Sequence, residues 1–513
     1  MLQPGRAERY DVVVVGGGSA AFEAAVAARE AGAGRVLVLE KAPARESGGN
    51  SLFSHTGFRF PYRGPDEIRL FLPELSEDVF QRMHLPPYTV DDFIRDLDRV
   101  TQGRINRDLA GVLAEESNEA VHWIRELGMP WSLGHHVIVD GQLRFQPGLI
   151  LHPLGGGPGQ LSFWRTIAAE RGIEVRYDSP VSAILGNMWR VEGIRFSSPS
   201  GDQEIYAGAV ILCSGGFQAS REMRVQYLGT NADFMKLRGS RHNTGEVLRM
   251  ALDLGARSSG HWQGAHMSPV DNSSPEYEPT LRSDNLGSLY IRYNYTYGVT
   301  VNALGVRFFD EGEAQFSYTY AKTGRRVLEQ PGGIAFQIFD QKGMRAMKPY
   351  AEQHLEQKIV ADSLEELAAA LPINRETFLM SIREFNAAVC DDKPFHPGAL
   401  DGRKTVGITP PKSNWATAID EPPFVAYTVT GGVTFTFGGL ETTRDGQVVA
   451  VTGRPIDNLY AVGDIAGMFF HNYPACSGQS RNVVFARRAA HHACLGHSKG
   501  QPPRDAITAA LQA

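Results

Sequence analysis

The 513-residue chain has only four cysteines, Cys213, Cys390, Cys476 and Cys494, and no two of them stand in a Cys-x-x-Cys spacing. That excludes a disulfide framework and removes the usual signs of a zinc or iron–sulfur site, so each thiol reads as a packed side chain. Long apolar runs are also missing. Nothing approaches the roughly 20 residues needed by a membrane-spanning helix, and the opening Met1-Leu-Gln-Pro-Gly-Arg6 has no apolar signal core. The expectation is a cytoplasmic protein with no membrane span. Neither charge is in large excess: 51 Lys and Arg face 57 Asp and Glu, a net charge of -6 that gives no reason for a nucleic-acid partner. The pairs His135-His136 and His491-His492 lack acidic or thiol partners at ligand spacing, so no metal is expected. What is present is an ordinary globular composition, 42% hydrophobic and 21% charged, with room for two or more packed domains and a pocket for a small-molecule substrate.

The first forty residues carry a local pattern. Tyr10-Asp-Val-Val-Val-Val15 is a β-branched apolar run suited to a strand buried on both faces in a parallel sheet. It leads into Gly16-Gly-Gly18-Ser-Ala-Ala21, whose glycines let the backbone approach a pyrophosphate and whose Ala21 permits close packing of helix on strand. The Ala-rich stretch from Ser19 to Ala31 predicts a helix with its positive N-terminal end toward phosphates. Arg35-Val-Leu-Val-Leu-Glu40 predicts a second strand, ending in a carboxylate about twenty positions after the glycines, where it can accept hydrogen bonds from ribose hydroxyls. A glycine turn alone is a weak sign. The whole series predicts a Rossmann-like α/β dinucleotide site with Gly16, Gly18, Ser19, Ala20 and Glu40 at the cofactor.

Further segments carry a resemblance. In chain order, Glu46-Ser-Gly-Gly49-Asn-Ser51, Val210-Ile-Leu-Cys-Ser-Gly-Gly-Phe217, His242-Asn-Thr-Gly-Glu246 and Asn458-Leu-Tyr-Ala-Val-Gly-Asp464 resemble the flavoproteins of fumarate reductase and succinate dehydrogenase. Within that family Ser240-Arg-His-Asn-Thr-Gly, Thr319-Tyr-Ala-Lys322, Lys412-Ser-Asn-Trp-Ala416, Thr434-Phe-Thr-Phe-Gly-Gly439 and His471-Asn-Tyr-Pro474 are most similar to tricarballylate dehydrogenase flavoproteins. The resemblance implies FAD, with Lys41, Gly49, Asn50, Ser51, Val181, Gly215, Asp464, Ser477, Gly478, Gln479 and Ser480 added to its contacts. Asn50 stands where succinate dehydrogenases carry the flavin-linking histidine, so the FAD is expected to be non-covalent. The implied architecture is a Rossmann-like FAD-binding domain over residues 1–260 and 434–513, interrupted by an α+β capping domain over residues 261–433.

The resemblance also frames the substrate pocket. His266 matches one histidine of the family's carboxylate grip. Phe435, Tyr473 and Gln315 stand where a second histidine, a carboxylate-binding arginine and a proton-donating arginine are expected. Gln315 cannot act as a general acid, and Phe435 and Tyr473 cannot pair with a carboxylate as a cation does, so fumarate reduction is not expected. Replacement chemistry is sought first in Tyr473 and His471, then in Tyr320. His266, His55 and Arg481 complete the candidate set, with Arg241 and Lys412 as other cationic anchors. The expected reaction moves two hydrogens across a carbon–carbon bond beside an electron-withdrawing group, first on a tricarballylate-like carboxylate, with a separate electron acceptor or donor. Alternatives are a bulky enone or biosynthetic intermediate, as in ketosteroid dehydrogenases of related fold, or a non-redox isomerase or flavin-binding module.

Overall fold

The computed structural model describes residues 8–54, 57–134, 136–139, 141–199, 201–277, 290–347, 358–397 and 399–498. Strands β1 (Glu8–Val15), β2 (Val36–Leu39), β3 (Glu174–Arg176), β4 (Val181–Asn187), β5 (Arg190–Ser198) and β6 (Gly201–Leu212) begin one sheet. The chain then builds a second from β7 (Lys236–Leu237), β8 (Ala265–Asp271), β9 (Val299–Val301), β10 (Ile334–Phe339), β11 (Ile359–Ala361) and β12 (Phe424–Thr436). It returns to the first sheet with β13 (Gln447–Val449) and β14 (Pro455–Ala461). The eight-stranded first sheet has the order β13-β14-β5-β6-β1-β2-β3, with β4 beside β5. In the six-stranded second sheet, the 13-residue β12 pairs with β7, β8, β10 and β11, and β9 extends the far side of β10.

The valines predicted for a two-sided buried strand behave so: Val12, Val13 and Val14 have no exposed surface, because helices cover one face and a second apolar cluster the other. Helix α1 (Ser19–Glu30) follows β1. It is buried along most of its length because the long C-terminal helix Ser477–Ser498 packs on it, and alanines at Ala24, Ala27, Ala486, Ala489 and Ala490 allow the backbones to approach closely. Helix α2 (Val90–Thr101) begins at a capping box, in which Thr89 and Asp92 satisfy each other's backbone N–H groups and fix the first turn one turn before Asp96. Helix α3 (Tyr320–Leu328) lies on β8 and β12. Gly324 permits this, since a Cβ there would meet the Ser268 carbonyl oxygen at 2.5 Å. The C-terminal helix is α4 (Ser477–Ser498). Among the described residues no helix is long and apolar enough to cross a membrane.

Candidate active site

Parallel pairing brings several strand ends into line. Val15 is in register with Leu39 on one side and Leu212 on the other, and Leu212 with Ala461. The residues that follow, Gly16, Glu40, Cys213 and Val462, therefore leave the sheet together at its carboxyl edge, where ligands of open α/β sheets bind. A cleft with about 1000 Å³ of empty space opens there. Gly16, Gly18, Ser19, Ala20, Glu40 and Lys41 line it from the N-terminal unit. Gly49, Asn50, Ser51, Val181, Gly215 and Asp464 line it from the later segments. Ser179, Pro180 and Asn482, which the sequence pattern did not name, also line it because folding brings their segments to the same edge, as do Asn243 and Gly463 from within two of the resembling motifs.

The cradle fits a dinucleotide. A Cβ on Gly17 would lie 2.4 Å from Glu40 Oε2, so only glycine lets the turn lie against that carboxylate. Gly215 has φ +75°, and a Cβ there would strike the Asn243 side-chain amide at 2.6 Å. Glu40 accepts the Ala42 N–H at 2.7 Å, and burial raises its pKa. Ser51 Oγ accepts the Ser19 N–H at 3.1 Å and donates to Ser19 Oγ at 2.9 Å, which fixes the segment around Ser51 to the start of α1. Lys41 turns its ammonium to Thr244 (2.5 Å) and Glu246 (3.1 Å).

The start of α4 departs from expectation. Ser477, Gly478, Gln479 and Ser480 do not line the cleft. Ser477 donates to the Pro474 carbonyl at 2.6 Å, and Ser480 exchanges hydrogen bonds with the Arg59 backbone, so both hydroxyls are used within the fold. Gln479 accepts weakly from Ser19 Oγ at 3.3 Å, while a Cβ on Gly478 would meet nothing within 4 Å, leaving open space beside this helix start.

Next to the cleft stands an aromatic cluster. Asn50, on the cleft wall, accepts the Ser240 N–H and donates to the Thr434 carbonyl, one residue before Phe435. Around Phe435 gather His266, Tyr473 and Phe437, with ring centroids 5.4, 5.1 and 5.5 Å away. The centre is a hydroxyl pair: Tyr320 and Tyr473 are 2.7 Å apart at their oxygens, and both rings are buried. Burial drives both phenols well above their ordinary pKa, so each keeps its proton at neutral pH. His266, whose ring lies 4.8 Å from that of Tyr320, is held neutral by burial; its Nε2 meets Ser268 Oγ at 3.1 Å and its Nδ1 is buried without a partner. Arg238 donates to Ser268 Oγ (3.0 Å) and Thr434 Oγ1 (2.9 Å), and Tyr293 OH lies 3.2 Å from Ser268 Oγ. The Arg238 charge lowers the Tyr473 pKa, opposing the larger effect of burial.

Other candidates fall elsewhere. His471 has φ +58°, and its ring packs edge-on against His261, outside the tyrosine pair; the His261 Nδ1 accepts the His471 N–H. Arg481 is buried in an ion pair with Asp464 of the cleft and lies over Phe469, whose other contacts include Tyr473 and Phe437, so its guanidinium is one ring away from the aromatic cluster. Arg241 is paired with Glu46 at 2.6 Å, and buried Lys412 donates to the Gly298 carbonyl within the second-sheet region. Neither faces the cluster. The Tyr295 hydroxyl lies 2.6 Å from Thr319 Oγ1, whereas Tyr293 packs edge-on against Tyr320 with ring centroids 4.9 Å apart. His55 lies outside the described residues. Reading from sequence missed Arg238, Ser268, Asn472 and Arg59. Arg238 sits three residues before the motif arginine that drew attention, and Asn472 lies inside the quoted His471-to-Pro474 segment. Among the described residues no group of His, Cys, Asp and Glu has the arrangement of a metal site.

A family model described as FAD binding domain matches residues 11–480. The chain is 28% identical to the probable fumarate reductase Ifc3 of Shewanella frigidimarina over 96% of its own length and 76% of that protein's. It is 26% identical to the NADH:fumarate oxidoreductase of Klebsiella pneumoniae over 94% of its length, but spans only 47% of that relative. Its fold matches a 3-ketosteroid Δ1-dehydrogenase structure from Sterolibacterium denitrificans with a TM-score of 0.73, at 21% identity, over 96% of this chain and 100% of the other. The chain belongs to the FAD binding domain family, and it is a FAD-dependent oxidoreductase of the fumarate reductase type that acts on CH–CH bonds.

Proposed function

We propose that this enzyme interconverts a bulky enone and its saturated ketone, acting on the Cα–Cβ bond beside an uncharged carbonyl. The observation that carries this reading is the buried Tyr320–Tyr473 hydroxyl pair, set among His266, Phe435 and Phe437 beside the FAD cleft. FAD, when bound, supplies or takes the hydride and carries the two electrons. The protein's part is proton handling and charge. A carbonyl oxygen and its α carbon are two bonds apart, a spacing that two adjacent hydroxyls can address together. Tyr473, on which the Arg238 charge acts, donates to the carbonyl oxygen and stabilises the enolate; Tyr320, which holds its proton at neutral pH, delivers the α proton in reduction. Rings around the pair exclude water. We place residues 261–433 over the cleft as the cap that brings Tyr320 to Tyr473. Electrons come from a separate donor in reduction and pass to a separate acceptor in dehydrogenation.

A second reading, a tricarballylate-like carboxylate, is favoured by Arg238 with Ser268 and His266, which could receive one carboxylate. The two separate in one experiment. Under anaerobic conditions, the oxidised holoprotein is mixed with a saturated cyclic ketone, tricarballylate or succinate, and the dithionite-reduced protein with a cyclic enone, while the visible flavin band is followed. Bleaching by the ketone or reoxidation by the enone supports the first reading. A response to tricarballylate alone overturns it in favour of the second, and no response to any of them removes both.

A further inference from the structure

Tyr320 and Tyr473 are 153 positions apart, one on α3 and the other in the loop before α4. A 2.7 Å contact between them requires both segments to be held. Asn472 holds them directly. Its side chain is 3% exposed; Nδ2 donates to the Tyr318 carbonyl at 2.7 Å, and Oδ1 accepts the Tyr473 N–H at 2.9 Å. One amide therefore joins the backbone of Tyr473 to the backbone two residues before Tyr320.

A second clamp shares Tyr318. Arg59 is fully buried; its Nε donates to the Ala475 carbonyl at 2.9 Å, and Nη1 to Asp96 at 2.9 Å and Tyr88 OH at 3.0 Å. The Tyr318 hydroxyl donates to the same Asp96 oxygen at 3.1 Å, and the Arg59 and Arg99 guanidinium groups lie over its ring at 5.6 and 4.0 Å from the centroid. Tyr318 is thus fixed at its carbonyl by Asn472 and at its hydroxyl by Asp96. The loop is fixed at Tyr473 N by Asn472 and at Ala475 O by Arg59. That loop is also bounded by two non-glycine residues in left-handed backbone, His471 (φ +58°) and Cys476 (φ +68°), a conformation that persists only where the surroundings over-determine it.

We infer that Asn472 and Arg59 are positioning residues for the Tyr320–Tyr473 pair, acting through Tyr318 and the 472–476 loop without either of them hydrogen-bonding to the paired hydroxyls. The inference rests on the proposed role of that pair. Misplacing a reacting group by about 1 Å can cost on the order of 100-fold in rate. Asn472→Ala is therefore expected to lower the single-turnover rate, with cyclic enone on the reduced holoprotein, by about 10- to 100-fold, while FAD content stays full and KM moves little.

The cycle with the Tyr320→Phe/Tyr473→Phe double variant decides between positioning and general structural damage. If Asn472 acts through the pair, Asn472→Ala costs little more once both hydroxyls are gone; an equal loss in both backgrounds overturns the inference. Should Asn472→Ala fail to retain FAD, Tyr318→Phe, which removes only the hydroxyl on Asp96, carries the same cycle: a several-fold loss confined to the wild-type background supports the inference, and an unchanged rate overturns it. If Tyr320→Phe and Tyr473→Phe themselves leave the rate unchanged, the proposed function fails, which is a separate outcome.

Discussion

Lys412 offers a test of the energetics of the second-sheet region. Its side chain is 1% exposed, its ammonium donates to the Gly298 carbonyl, and Arg307 and Glu311 form an ion pair at 2.5 Å nearby. Burial lowers the Lys412 pKa from 10.5 to about 8, with Glu311 opposing the shift and Arg307 adding to it. Such a group binds its proton less readily folded than unfolded. Stability is therefore greatest above pH 10.5, falls as pH drops from 10.5 toward 8, and is constant with respect to this group at lower pH. A shift from 10.5 to about 8 corresponds to about 3 kcal/mol of destabilisation at neutral pH. Lys412→Met relieves that cost but leaves a buried carbonyl without its donor, worth about 1–3 kcal/mol, so the net change at pH 7 is about 0–2 kcal/mol of stabilisation. Denaturant midpoints for both proteins at pH 7, 8, 9 and 10 supply the assay. Wild type should gain on the variant steadily above pH 8. A difference between the two proteins that does not change over that range would refute the assignment of a depressed Lys412 pKa.

Other outcomes are equally specific. Tyr473→Phe and Tyr320→Phe should each lower turnover by about 10²- to 10⁴-fold with FAD retained, measured by single-turnover absorbance. Gly17→Ala places a Cβ 2.4 Å from Glu40 Oε2 and should give protein that loses its yellow colour on gel filtration; full retention would remove Gly17 from the cradle. Acid precipitation of the holoprotein should release flavin into the supernatant, and colour left in the pellet would show a covalent link. Glu23 is wholly buried with both carboxylate oxygens unpartnered, and burial raises its pKa well above 4.5. The stability it contributes is therefore full below pH 4.5 and lost as pH rises, and the advantage of Glu23→Gln over wild type in thermal unfolding should grow from pH 5 to pH 7.

Legibility in the sequence followed the range of the contacts. The turn from Gly16 to Ala20 and the acid Glu40 are a contiguous unit, whose strand, turn and helix dictate each other's geometry over about thirty residues, so that wall of the cleft was readable from that stretch alone. Tyr320 and Tyr473 could each be named, but their meeting depends on how α3 lies on its sheet, which no local pattern records. Arg481 and Asp464 could each be named, but not their pairing, which forms only as the chain folds back into α4 over the 17 positions between them. His471 shares a motif with Tyr473 yet points the other way, because its left-handed backbone turns the side chain toward His261.

The alignment of Val15, Leu39, Leu212 and Ala461 also bears on how this chain can vary in length. Deleting one residue from β1 would draw Gly16 back by about 3.3 Å and invert which side chains face each layer, so a single such change would break both the cofactor turn and the packing beneath it. The hairpin turn at Met188 and Trp189, between β4 and β5, lies away from the cleft and is tied to the sheet through the Trp189 carbonyl, which accepts the Asp457 N–H at 2.9 Å, while the Trp189 side chain is exposed. Insertions should collect at that turn, and the strands leading to the cleft should keep their length.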